Sequence, residues 1–71
     1  MVYPNPSNGG ITISSNSTID ELKVTDILGQ IVYEAKPSTV NTTLQLDNAG
    51  VYFISITAGK ESNIKKVIIS K

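Results

Sequence analysis

The sequence predicts an all-β fold: a small seven-stranded antiparallel β-sandwich with an immunoglobulin-like shape. Three observations predict it. Apolar residues recur with a period of two, the repeat of a half-buried strand, and not with the 3.6 of a helix. Ten Ile, six Val and seven Thr supply β-branched side chains, which suit a pleated sheet. Turn signals punctuate the chain at strand-like intervals, and about seven short strands so spaced imply a sandwich. The Cys pair and core Trp of antibody domains are absent, so only the architecture is implied.

The elements follow in order. A short strand at 2–3 precedes Pro4 to Gly10, where Pro4 and Pro6 fix φ and stiffen the entry. Gly9 and Gly10 then let the chain turn into a strand at 10–14, with Ile11 and Ile13 flanking Thr12. Ser15 to Ser17 read as a turn. A strand at 20–26 places Leu22 and Val24 on one face. Its hairpin, Asp26-Ile27-Leu28-Gly29, needs a residue tolerant of positive φ, which Gly29 supplies, while Asp26 can accept backbone N–H bonds. A strand at 30–35 ends before Lys36-Pro37-Ser38. The strand at 39–46 carries Val40, Thr42, Leu44 and Leu46 on one parity. After Asp47 to Gly50, a strand at 50–58 carries Tyr52, Ile54 and Ile56 inward. Tyr52 there offers a ring to the core and a hydroxyl needing a partner. Ala58 to Lys60 turn into a last strand at 63–70, with Val67 and Ile69 on one face. "IVY" at 31–33 and "VYFISI" at 51–56 are bulky on both parities, which fits central strands, covered outer faces or contact with a partner.

Seventy-one residues make one small domain, residues 1–71, of modest stability. Six Lys balance six acids and there is no His, so the basic excess of a nucleic-acid binder is missing. The first charged residue is Asp20, and residues 60–71 hold four Lys against one Glu, a local +3. This reads as a solvated strand or as a recognition tail for an acidic partner. No apolar run approaches the roughly 18 residues of a membrane helix. The chain begins as though inside a longer protein, and it reads as a domain excised from one.

Catalytic chemistry has little to work with. Without Cys or His, the usual zinc ligands, thiolate nucleophile and general base are missing. Asp20 and Glu21 are adjacent and would face opposite sides of a strand. The Ser residues form no nucleophile elbow, and Gly9-Gly10 precede a strand, so no helix N-terminus follows to cradle phosphate. The expectation is no enzyme activity, no cofactor and no metal. The sequons at Asn16 and Asn41 are expected by chance in a chain so rich in Ser, Thr and Asn.

In this order, "YPNPSNGG", "VTDILGQIVYEA", "LQLDNAGVYFISI" and "KKVIISK" resemble the type A C-terminal sorting domains of the type IX secretion system, the Por secretion system sorting domains. The resemblance runs from Tyr3 to Lys71. It carries the family's motif onto Pro4, Asn5, Pro6 and Gly9 or Gly10; onto Asp26 and Gly29; onto Gly50 and Tyr52; and onto Lys65, Lys66 and Lys71. Gln30 departs from the family, which often has Arg or Lys after the hairpin glycine. The resemblance implies a non-catalytic address label at the C-terminus of a secreted protein of Bacteroidota. Its N-terminal cargo crosses the periplasm and outer membrane to become secreted or surface-bound. The implied partners are the outer-membrane translocon and a sortase-like peptidase that removes the label. No nucleic acid and no membrane insertion are implied, and an open sheet edge would also allow an edge-strand dimer. Two rival readings stand beside it: a carbohydrate-binding or adhesive module, and a passive spacer. The first would need exposed aromatic platforms, and the chain has only Tyr3, Tyr33, Tyr52 and Phe53.

Overall fold

The alternation seen in the sequence closes into two antiparallel sheets in a computed structural model that describes residues 2, 3 and 8–70. The strands are β1 (Val2–Tyr3), β2 (Gly10–Ile19), β3 (Glu21–Asp26), β4 (Ile31–Ala35), β5 (Thr39–Gln45), β6 (Gly50–Ala58) and β7 (Glu61–Ile69). One sheet has the order β1-β2-β5 and the other β4-β3-β6-β7. β2 faces β6 across the core. No helix among the described residues is long and apolar enough to cross a membrane.

One parity of each inner strand builds the core. Ile11 and Ile13 of β2, Leu22 and Val24 of β3, Tyr52, Ile54 and Ile56 of β6, and Val67 and Ile69 of β7 are all buried. Leu44, Leu46 and Ile19 complete it, and Val2 and Tyr33 pack against it. Each fully buried aliphatic side chain here contributes about 1.5–3 kcal/mol of transfer free energy. The register follows the same logic: Leu22 lies opposite Ile56 and Val24 opposite Ile54, so the two buried rows coincide. β6, central between β3 and β7, half-buries Val51 and Phe53 on its outer face, which accounts for bulk on both parities.

The structure corrects the sequence reading in four places. Ser15 to Ser17 do not end the strand: β2 runs on to Ile19, but residues 15–18 bulge out opposite Val40 alone, between the pairs Ser14–Asn41 and Ile19–Thr39. An exposed, irregular strand shows no apolar alternation, and its polar residues therefore look like a loop. Val40 is exposed, so only Leu44 and Leu46 of its parity reach the core. β4 is an edge strand and leaves Ile31 and Val32 exposed. β7 begins at Glu61, directly after the turn at Gly59 and Lys60.

The true change of direction after β2 occurs at one residue. Asp20 separates β2 in one sheet from β3 in the other. Its N–H donates to Thr57 O at 2.8 Å, and its Oδ2 accepts the Gly59 N–H at 2.8 Å. Ser38 N–H donates to Ile19 O at 3.0 Å beside it. Asp20 thus ties the sheet switch to the β6–β7 turn. Asp20→Ala is expected to lower stability by about 1 kcal/mol in urea denaturation, the usual net value of such a bond.

Candidate functional site

Strand register decides which distant residues meet. Asp26 lies opposite Tyr52, and Gly50 opposite Ile69. The four-residue connection from β5 to β6 keeps both sheets in step, and Leu46 N–H donates to Gly9 O at 2.8 Å. Gly9, Gly10, Asp26, Gly29, Gly50 and Tyr52 therefore gather at one end of the sandwich, together with the end of β7. Pro4, Asn5, Pro6 and Lys71 lie outside the described residues.

Each of these positions has a physical task. Asp26 Oδ1 accepts the N–H groups of Leu28 at 2.9 Å and Gln30 at 3.0 Å, while Asp26 O accepts Gly29 N–H at 3.0 Å. Gly29 sits at φ +86°, a region that side chains disfavour. The expected roles of Asp26 and Gly29 are thus both present. Tyr52 is buried, and its hydroxyl donates to Asn48 O at 2.9 Å, pinning the β5–β6 loop to the core. Tyr52→Phe is expected to lower stability by about 1 kcal/mol, read as a lower urea midpoint at unchanged slope.

The hairpin also displays two residues that the sequence reading treated only as turn filler. Ile27 and Leu28 are 71% and 81% exposed on a tightly hydrogen-bonded scaffold. The available signal was two large apolar residues at the centre of a turn, where polar residues are the norm.

Lys65 and Lys66 do not form one patch. Lys65 lies opposite Ile54 and shares its inward face; Lys66 lies opposite Phe53 on the outer face. Both are exposed, and β7 is the last strand of its sheet, so its outer edge has no strand beside it among the described residues. Ile64 and Ile68 share the outer face with Lys66 and are 69% and 43% exposed. Elsewhere on that face Lys23 bridges Glu21 at 3.6 Å and Glu34 at 3.8 Å, contacts too exposed to contribute much. No group of three or more acids placed to hold a metal ion occurs among the described residues. The geometry offers an edge, an ordered end face and a projecting apolar hairpin, all of which suit contact with another protein.

The fold and this end face define an immunoglobulin-like β-sandwich module. The chain belongs to the secretion system C-terminal sorting domain family, the sorting domains of type IX secretion, whose model matches residues 1–70. It is 40% identical to an ulvan lyase, NLR42 of Nonlabens ulvanivorans, over a stretch covering 80% of this chain and 11% of that protein. It also resembles a solved structure of PorZ, described as an essential surface component of the type IX secretion system of Porphyromonas gingivalis. The TM-score is 0.79 at 22% identity, covering all of this chain and 11% of that one. The chain thus spans about a ninth of each of these relatives. Proteins carrying this domain are exported across the outer membrane to the cell surface or the medium.

Proposed function

We propose that residues 1–71 form one non-catalytic signal that docks its parent protein on the outer-membrane type IX translocon. A sortase-like peptidase then cuts ahead of the domain. The cargo in this reading is an N-terminal secreted domain. The observation that carries the reading is β7: an edge strand bearing Lys65 and Lys66 on its two faces, with Lys71 following in the sequence. A receptor can add a strand to such an edge, and the lysines steer it towards an acidic groove. The same charges oppose pairing of two copies through this edge.

The test is a cargo fusion carrying Lys65→Ala, Lys66→Ala and Lys71→Ala together. Lys65 and Lys66 are exposed, so the fold should survive their replacement. Surface delivery is expected to fall about tenfold, equivalent to losing ~1.4 kcal/mol of docking free energy. Normal delivery by a folded triple variant would contradict this role for the lysines.

A further inference from the structure

Half of the large apolar side chains left in solvent among the described residues lie within six positions. Ile27, Leu28, Ile31 and Val32 are 71%, 81%, 56% and 47% exposed, whereas the other four are spread over β1, β5 and β7. Single exposed apolar residues are ordinary, but a cluster marks a contact surface.

This cluster stands on a firm base. Four hydrogen bonds converge on Asp26 and close the turn. Its Oδ1 accepts the N–H groups of Leu28 and Gln30, its O accepts the Gly29 N–H, and its own N–H donates to Gln30 O at 2.9 Å. Gly29 takes the positive φ, which leaves Ile27 and Leu28 at the crest. A knob held this way loses little conformational freedom when a partner grips it. The return strand adds a second feature. Val24 pairs with Tyr33 but Thr25 with Ile31, so Val32 is an extra residue in β4. Such a bulge blunts an edge against strand addition. The cluster therefore presents side chains to a partner, not a backbone ladder.

We propose that Ile27 and Leu28 form a knob that seats in an apolar pocket of a protein receptor, with Ile31 and Val32 as its shoulder. Charge selects a protein over a lipid surface. Asp26 is the only charged residue from 24 to 33, and no Lys lies between Lys23 and Lys36. Interfacial anchors combine apolar tips with Lys or Arg beside them, and this tip has none. That the receptor is the translocon rests on the docking function proposed above. The placement suits it: the tip extends past the Asp26–Tyr52 pair, towards the level of Gly50 and Ile69 where β7 ends. One receptor laid across this end can hold the knob and β7 together.

Export of a reporter fused ahead of residues 1–71 tests the knob. Ile27→Ser with Leu28→Asn puts polar residues where turns normally carry them, so the urea midpoint should hold. Surface delivery should fall about tenfold or more, as expected when two aliphatic side chains no longer find burial. Folded fusion should then accumulate in the periplasm. Ile27→Val with Leu28→Met keeps the knob apolar and should deliver normally. Normal delivery by the folded polar variant would overturn the proposal. So would a lowered midpoint, which would mean that the two side chains pack within the domain. Failure of the unaltered fusion to leave the periplasm would instead overturn the docking reading, and the proposal with it. As a second measurement, the unaltered fusion is mixed with vesicles of phosphatidylethanolamine and phosphatidylglycerol and should not co-sediment. Co-sedimentation that the polar variant loses would assign the tip to a lipid surface and overturn the proposal.

Discussion

Ile54→Ala is expected to destabilise the domain by about 3–4 kcal/mol, within the 2–5 kcal/mol typical of such truncations in well-packed cores. Ile54 is fully buried on β6, the strand flanked by β3 and β7, and it lies opposite Val24. A cavity there touches both sheets and cannot be filled by the collapse of one loop. A 71-residue domain has roughly 4–11 kcal/mol of total stability, so this one change removes a large share of it. Urea denaturation should show a much lower midpoint. Ile54→Val, which removes one methyl group, should cost only about 1 kcal/mol. Equal losses for the two variants would mean that the site is less tightly packed than the structure indicates.

Gly50→Val should give the second large effect, about 2–3 kcal/mol. Gly50 enters β6 at φ +150°, and holding a β-branched residue in such a region costs of order 1–3 kcal/mol. An added Cβ would make only ordinary contact, 3.8 Å from the ring of Tyr52, so the cost is backbone strain, and it falls beside the loop that Tyr52 pins through Asn48. Gly29→Val is the instructive comparison. At φ +86° it is strained as well, but an added Cβ meets nothing within 4 Å and the hairpin can yield locally. Thermal or urea unfolding should rank Gly50→Val as the more damaging of the two.

Most of the fold was legible in the sequence because burial imposes parity. The pairs Ile11/Ile13, Leu22/Val24 and Val67/Ile69 and the triplet Tyr52/Ile54/Ile56 all read as inward and are all buried. The reading failed where burial was absent. Ser15 to Thr18 form a bulged, largely uncovered stretch of β2, so nothing in their composition distinguishes strand from turn. Ile64 received no placement from the sequence; it faces outward beside Lys66 and is largely exposed.

The candidate site was legible as residues but not as a place. Asp26, Gly29, Gly50 and Tyr52 could each be given a local role from turn chemistry. Their assembly with Gly9 and Gly10 at one end depends on which strands pair, and only the register reveals that. For the same reason the sequence could not separate Lys65 from Lys66, which are neighbours in the chain yet stand on opposite faces. The exposure of Ile27 and Leu28 was hidden differently: an apolar pair in a turn has no partner in sequence to show whether it packs inward or projects.

This sorting domain is expected to act as a portable address. It is tested most directly by fusing residues 1–71 behind a signal peptide and an unrelated, stably folded reporter in a bacterium with an active type IX system. The reporter should reach the cell surface or medium, and the same fusion lacking the domain should remain in the periplasm. Retention of the intact fusion in the periplasm, with the domain folded and uncut, would contradict the account.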